Sequence, residues 1–122
     1  MGEHLCIIIF AKNKIFMDRL KIIEGIRDLG SNVLPAGAKL VLFGSQARND
    51  ARSDSDWDLL ILIDGQKISR TDFENYAYPF IEWGWDIDAE INPLIYTYSD
   101  WKKRSITPFY KNVAKEGVVL CS

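Results

Sequence analysis

The first half of the chain shows one helical and two strand-like patterns of apolar positions. Phe16, Leu20, Ile23 and Ile26 recur at helical spacing with charged residues between them, which predicts an amphipathic helix over residues 16–29 that ends at Gly30. Two short apolar runs follow, KLVLF at Lys39–Phe43 and WDLLILI at Trp57–Ile63, and both predict buried strands. The polar segment between the two runs predicts a hairpin with a long, functional loop.

The next stretch of the chain has the signals of a second helix. Thr71-Asp-Phe-Glu74 matches a capping box, so a helix is predicted from about residue 72 to residue 83, with Gly84 as its end. Pro79 lies inside this pattern. It must either kink the helix or mark its end, because proline cannot donate the backbone hydrogen bond of a helix interior.

The last third of the chain returns to strand character and then to short helices. The segment Ile87–Tyr96 is predicted to be a strand, and Pro93 within it indicates an edge position or a bulge. Three more elements are predicted, namely helices at Asp100–Arg104 and Pro108–Glu116 and a final strand at Val118–Leu120.

This order of elements predicts the fold class. It describes an α/β or α+β domain in which a small mixed sheet carries helices on one face. A length of 122 residues suits one domain and leaves no room for a second, substrate-binding domain. We therefore expect a single domain over residues 1–122 with its core at about 17–120, and residues 1–16 as an extra strand or an N-terminal extension.

Composition excludes several classes of protein. With 15 basic and 17 acidic residues the formal charge is only −2, which argues against a general nucleic-acid or membrane-surface binder. The apolar stretch Leu5–Phe10 is too short to span a bilayer. Cys6 and Cys121 form no Cys-x-x-Cys motif, and His4 is the only histidine, so we expect a reduced, cytoplasmic protein without a zinc site.

Two carboxylates at the start of the second strand are the candidate chemistry. Residues two apart on a strand point to the same face, so Asp56 and Asp58 present their side chains together, whereas Asp54 is read as an ordinary loop residue. Strands disfavour aspartate, and two like charges this close repel unless a cation lies between them. Oxygen ligands without histidine or cysteine favour Mg²⁺ or Mn²⁺.

A third carboxylate from another strand would complete a site for two metal ions. The run Trp85–Ile91 supplies Asp86, Asp88 and Glu90, which share one parity on the predicted strand, so the pattern does not choose between them. We favour Asp88, with Glu90 as the alternative. Two metal ions held this way can clamp the attacking and leaving oxygens of an in-line phosphoryl transfer.

A phosphate-binding turn is predicted at the end of the first strand. Gly44 follows KLVLF directly, and a glycine there lets backbone amides approach a phosphate without a Cβ in the way. Ser45 adds a hydroxyl donor and Arg48 a cation for phosphate oxygens. A short helix beginning after Gly44 would also favour an anion. Gly44, Ser45 and Arg48 are therefore the candidate nucleotide-binding residues.

Two motifs together resemble a known family. Gly44-Ser45-Gln46-Ala47-Arg48 followed by Ser55-Asp56-Trp57-Asp58-Leu59 is similar to the signature of the minimal nucleotidyltransferases (MNT) of the DNA polymerase beta superfamily. The likeness continues through Asp88–Pro93 as the third-carboxylate strand, and through residues 108–117, a tail common in prokaryotic members. Asn49 stands where many relatives have glycine, a mild departure because asparagine tolerates a left-handed backbone.

The resemblance implies both a fold and an activity. The fold would be the polymerase beta palm-like nucleotidyltransferase fold. The activity would be Mg²⁺- or Mn²⁺-dependent transfer of a nucleoside monophosphate from ATP or another NTP. By the family pattern Gly44 and Ser45 bind the triphosphate, Asp56 and Asp58 ligate the ions, and the third carboxylate helps to activate the acceptor hydroxyl.

Several hypotheses about the identity of the acceptor stay open. Minimal nucleotidyltransferases are often antitoxins paired with a small helical HEPN protein, so the resemblance suggests transfer of AMP to a hydroxyl of such a partner. The alternative is a catalytically weak or inactive protein-binding module that neutralises a partner by contact alone. Transfer to a small molecule such as an aminoglycoside lacks an acceptor domain, and transfer to a nucleic-acid end lacks a basic stripe.

Overall fold

Four strands form one mixed sheet in a computed structural model, which describes residues 18–50 and 55–122. The strands are β1 (Lys39–Phe43), β2 (Trp57–Ile63), β3 (Ile91–Thr97) and β4 (Val118–Cys121). Their order in the sheet is β3-β2-β1-β4, with β1 antiparallel to β2 and β4, and β2 parallel to β3. The predicted mixed sheet, its hairpin and the edge position of the strand that holds Pro93 are confirmed. The predicted extension at residues 1–16 and Asp54 lie outside the described residues.

The helices surround this sheet. Their bounds are α1 (Arg19–Val33), α2 (Ser45–Arg48), α3 (Arg70–Asp72), α4 (Tyr78–Asp86), α5 (Tyr98–Lys103) and α6 (Pro108–Glu116), with a π-helical segment, Phe73–Ala77, between α3 and α4. None of the helices in the two described ranges has the length and apolar character needed to cross a bilayer.

Helix α1 extends beyond the glycine at which the sequence predicts its end. Asp18 caps it by accepting a hydrogen bond from the backbone N–H of Leu20 at 3.1 Å. Gly30 lies inside the helix and is buried. A Cβ at this position would lie only 2.8 Å from Cδ2 of Leu40, so the helix packs there without room for a side chain. The prediction of an end at Gly30 is therefore wrong: the glycine serves close packing on β1, and the helix ends before Pro35, whose ring disfavours a helical residue ahead of it.

The second helical region begins and ends at residues other than those predicted. Its capping box is formed by Ser69 and Asp72, not by Thr71 and Glu74. Gly84 does not end it, since α4 continues to Asp86. Pro79 does not end the helical run, which continues to Asp86. It lies in the first turn of α4, directly after the π-helical segment, where a missing N–H is tolerated.

Apolar side chains are buried on both faces of the sheet. On one face α1 and α4 contribute Ile26 and Phe80, which pack against Trp57 and the other core residues of that side. On the opposite face α5 and α6 contribute Trp101 and Val113. The predicted placement of helices on one face therefore describes only the larger core. The face that a short helix covers depends on how the distant segments connect, and its own apolar pattern does not reveal it.

Candidate active site

The two candidate carboxylates lie together where β2 begins. Trp57 points into the larger core and is only 3% exposed, so strand alternation turns Asp58 to the other face of the sheet. Asp56 precedes the strand and is exposed, while Asp58 is half-buried. The structure thus brings the predicted pair together on one side.

The environment of Asp58 opposes its negative charge. Burial raises the pKa of Asp58 above its ordinary value of 3.8, the charge of Asp56 raises it further, and a hydrogen bond from Asn92 lowers it. The carboxylate is therefore held where its ionised form is disfavoured in the absence of a cation. A bound cation between the two carboxylates would remove that penalty.

The predicted phosphate-binding turn lies against Asp58. Phe43, the last residue of β1, is the Cα partner of Asp58, so Gly44 begins the turn beside that carboxylate. Its φ of 77° and ψ of −158° are open to glycine and costly for other residues, and a Cβ at this position would lie 2.5 Å from Oδ2 of Asp58. Ser45 then opens α2, the short helix expected after the glycine.

Gln46 is a site residue that the sequence prediction missed. Its side chain is 4% exposed, and its Nε2 donates to the backbone carbonyl of Ser55 at 3.3 Å. Nη2 of Arg19 donates to the backbone carbonyl of Gln46. These contacts tie the turn to α1 and to the segment that enters β2. The sequence held no signal for this role beyond the position of Gln46 next to Gly44-Ser45.

Arg48 lies at the end of α2 and is engaged by acidic side chains. Its Nη1 donates to Oε2 of Glu116 at 3.0 Å, and its Nε donates to Oδ2 of Asp50 at 3.2 Å. The guanidinium is exposed, so these ion pairs can exchange for phosphate oxygens. Its predicted contact with a nucleotide stays a prediction.

The three candidates for the third carboxylate do not lie on one strand. Asp86 is the last residue of α4, Asp88 has a φ of 58° in the turn that follows, and Glu90 precedes β3. The expectation that these three side chains share one strand face is wrong, because the strand begins only at Ile91. Within the described ranges no three Asp, Glu, His or Cys side chains are grouped as metal ligands, so Asp88 does not join the pair here. Its catalytic role stays a prediction.

Asn92 is the side chain that the structure places beside the pair. It is the parallel Cα partner of Asp58, so the two side chains leave the sheet on the same face. Its Nδ2 donates to Oδ2 of Asp56 at 3.2 Å. This contact depends on the β2–β3 register, which no local pattern reveals.

Two clefts lie next to neighbours of the carboxylate pair. The first measures about 220 Å³ and is lined by Gly44 and Arg48 together with residues of α6. The second measures about 470 Å³ and is lined by Glu90 and Asn92 together with residues of α4. The first cleft therefore borders the glycine turn beside Asp58, and the second borders Asn92 and the α4 side of β3.

The donor set fits one divalent cation of the magnesium type. Asp56 and Asp58 supply adjacent carboxylate oxygens, and the neighbouring Asn92 supplies an amide group. Hard oxygen donors of this kind suit Mg²⁺ and Mn²⁺ better than zinc. The predicted three-carboxylate set for two ions is not assembled among the described residues.

Comparison with known proteins agrees with this geometry. A crystal structure of a nucleotidyltransferase, described as putative, from Sulfolobus solfataricus is similar with a TM-score of 0.57 and 18% identity, covering 87% of this chain and 85% of that one. A crystal structure of a toxin–antitoxin with AMP-PNP has a TM-score of 0.53 and 18% identity, covering 87% and 74%. A mutant of the toxin–antitoxin MntA-HpeT has a TM-score of 0.56 and 16% identity, covering 82% and 73%.

The solved structures show the fold, and sequence comparison shows the family. No curated protein matches the chain. The family profile described as the nucleotidyltransferase domain matches residues 19–121, which include the glycine turn, both carboxylates and all four strands. The resemblance seen in the two sequence motifs is thereby confirmed, and the chain belongs to the nucleotidyltransferase domain family.

Proposed function

We propose that this chain is a metal-dependent nucleotidyltransferase that moves AMP from ATP to a hydroxyl group of a partner protein. The observation that carries the proposal is the pair Asp56 and Asp58, which lie side by side next to the space that Gly44 leaves open. Membership of the nucleotidyltransferase family supports the reaction class. The structural neighbour with AMP-PNP supports an adenine nucleotide as donor.

The proposed reaction is a single displacement at phosphorus. The acceptor oxygen forms a bond to the α-phosphorus while the bond from that phosphorus to the β-phosphate oxygen breaks. Pyrophosphate leaves with the electron pair of the broken bond, and the hydroxyl proton passes to a carboxylate or to water. A divalent cation such as Mg²⁺ or Mn²⁺, when bound, neutralises charge that develops on the phosphate oxygens.

We assign nucleotide binding and acceptor entry to residues on different sides of the carboxylate pair. On the first side Gly44 lets backbone N–H groups approach the triphosphate, Ser45 donates a hydroxyl hydrogen bond, and Arg48 offers its guanidinium. Asp56 and Asp58 would hold the cation. The nucleotide is thus proposed to bind on the side of α6 and the acceptor to enter on the side of β3.

A carboxylate on the acceptor side would take the hydroxyl proton. The proposal keeps Asp88 for this role, with Glu90 as the alternative. Glu90 lines the acceptor cleft, and its backbone carbonyl accepts a hydrogen bond from Trp57 N–H at 2.8 Å, which fixes it beside β2. Comparing Asp88→Asn with Glu90→Gln decides between them, because only the residue that takes the proton should alter the pH dependence of transfer.

The proposed partner is a small helical HEPN-type protein in the cytoplasm, with this chain as the antitoxin. Two of the structural neighbours are toxin–antitoxin pairs, which supports this arrangement. Trp85 lines the acceptor cleft and is 63% exposed, and its ring meets Tyr78 edge-on at 6.0 Å between centroids. Exposed aromatic side chains next to the proposed acceptor cleft suit a protein acceptor.

A second function is favoured by one observation. The described residues do not assemble three acidic ligands, and the side chain that contacts Asp56 from the neighbouring strand is the amide of Asn92. A catalytically weak or inactive module that neutralises its partner by contact would have no need of a third carboxylate. This alternative keeps the fold and the exposed aromatic surface but not the transfer step.

Transfer of label from α-labelled ATP separates the two functions. The wild type and the double variant Asp56→Asn/Asp58→Asn are incubated with Mg²⁺ or Mn²⁺ in lysate from a native-like host, with Asp28→Asn as an exposed control on α1. We expect one protein acceptor to be labelled by the wild type and the control only. Capture of a partner without label, equal for wild type and double variant, would support the contact module instead.

A further inference from the structure

The side chain at the third position of the carboxylate site is an amide. The parallel register of β2 and β3 pairs Asn92 with Asp58, and the hydrogen bond from Nδ2 of Asn92 reaches Oδ2 of Asp56 at 3.2 Å. The same side chain leaves the sheet on the face of Asp58, because the two residues are register partners on parallel strands. Asn92 therefore contacts Asp56 and lies beside Asp58 on the neighbouring strand.

An amide and a carboxylate at this position have different consequences. Asparagine is neutral, cannot take a proton from a hydroxyl at ordinary pH and offers one oxygen instead of two. Its N–H₂ group instead donates to Asp56 and reduces the repulsion between the two carboxylates. A carboxylate here would add a third negative charge, which one divalent cation cannot neutralise and two can.

We infer that Asn92 makes this a one-cation site: it orients Asp56 and Asp58 for a single divalent ion and leaves a second ion without a protein carboxylate. This inference rests on the proposed function and states how its site is built. Asn92 is a positioning residue in this reading, because its hydrogen bond acts on the two carboxylates. It follows that the wild type binds nucleotide with one cation and transfers slowly, and that an aspartate at position 92 creates the second cation site.

The number of bound cations tests the inference directly. Electron paramagnetic resonance counts the Mn²⁺ ions bound per chain in the presence of a non-hydrolysable ATP analogue. We expect one ion for the wild type and two for Asn92→Asp. The control is Asn32→Asp, which makes the same change of charge on an exposed residue of α1, about 20 Å along the helix from the end that contacts Gln46. It should bind one ion.

Thermal unfolding adds a readout that does not involve nucleotide. Without metal, Asn92→Asp should melt several degrees below the wild type, because three like charges then meet at one end of the sheet. Saturating Mn²⁺ should raise its melting temperature by more than it raises that of the wild type. The variant Asn92→Leu, which keeps the charge but removes the hydrogen bond, should lower Mn²⁺ affinity 10- to 100-fold.

The outcomes are distinct from those of the transfer assay. Two ions in the wild type, none in the wild type, or still one in a folded Asn92→Asp variant would each overturn the inference. The expected ion counts without label transfer in any variant would leave the one-cation site standing and refute the proposed transfer. Faster transfer by Asn92→Asp, together with its second ion, would support both.

Discussion

Gly44 and Asp58 lie so close together that a Cβ at Gly44 would be 2.5 Å from Oδ2 of Asp58. They are fourteen positions apart in the sequence, and the pairing of Phe43 with Asp58 in the β1–β2 hairpin brings them side by side. The glycine of the proposed phosphate-binding turn and a proposed metal ligand therefore share one small space. A side chain at position 44 would displace the carboxylate as well as block the approach of a phosphate.

Gly44→Ala should destabilise the protein and abolish nucleotide binding. The substitution combines a strained backbone with a close contact, so we expect a loss of about 3 kcal/mol or more in the free energy of unfolding, measured by urea denaturation. Gly65→Ala is the matched control. Gly65 also has a positive φ, of 129°, but no atom lies within 4 Å of its Cβ position, so only strain is added. Equal losses in the two variants would show that the contact with Asp58 is unimportant.

Asp58→Asn should stabilise the ligand-free protein at neutral pH. Because burial and Asp56 raise the pKa of Asp58 above 3.8, the folded state binds the proton more readily than the unfolded state. Stability from this group is therefore present below pH 3.8 and is lost as pH rises through the folded-state pKa. Asparagine carries no charge, so the variant should gain about 1 kcal/mol at neutral pH.

Urea denaturation of Asp58→Asn across pH 3 to 7 checks this expectation. The gain should shrink toward zero at the acidic end, where Asp58 is protonated in both states. Asp28→Asn, which changes an exposed carboxylate of α1, should show little effect at either pH. A gain for Asp58→Asn that does not change with pH would rule out charge as its cause.

Local patterns were sufficient to predict the strands and the carboxylate pair. The runs KLVLF and WDLLILI were predicted as strands because a continuous apolar run with polar ends has few other uses in a domain of this size. The orientation of Asp56 and Asp58 follows from alternation along one strand. Each of these features depends only on neighbours in the sequence.

Features that depend on packing between distant segments were missed. Gly30 and Gly84 were both taken as helix ends, yet each lies inside a helix where another segment approaches too closely for a Cβ. Asn92 was not considered, because its role rests on the register of β2 with β3 and on where the strand begins after α4. A single sequence contains neither piece of information.

Gly84→Ala provides a test of this explanation. Helix propensity alone would favour alanine by about 1 kcal/mol. In the structure, however, the new Cβ would lie 2.6 Å from the backbone carbonyl oxygen of Ala89, which cannot move without shifting the start of β3. We therefore expect destabilisation in urea, while Thr71→Ala, at an exposed position of α3, should change stability little. A more stable Gly84→Ala variant would mean that the turn after α4 relaxes freely.

The ion pairs of Arg48 predict opposite effects for two nearby substitutions. If Arg48 contacts the triphosphate, its guanidinium must leave Oε2 of Glu116, which it meets at 3.0 Å. Arg48→Ala should then weaken binding of a Mg²⁺-bound ATP analogue about 10-fold, the scale of a charge-assisted hydrogen bond. Glu116→Gln should instead tighten binding, because it removes the competing carboxylate.

Calorimetric titration of the ATP analogue measures both effects, with Arg70→Ala as the matched control. Arg70 is another exposed arginine in a surface ion pair, its Nε lying 3.2 Å from Oε1 of Glu74, so its loss should leave nucleotide affinity unchanged. Both site variants should keep their stability within about 1 kcal/mol, since exposed ion pairs contribute little. Weaker binding by Glu116→Gln would indicate that this ion pair holds Arg48 in place for the phosphate instead of competing with it.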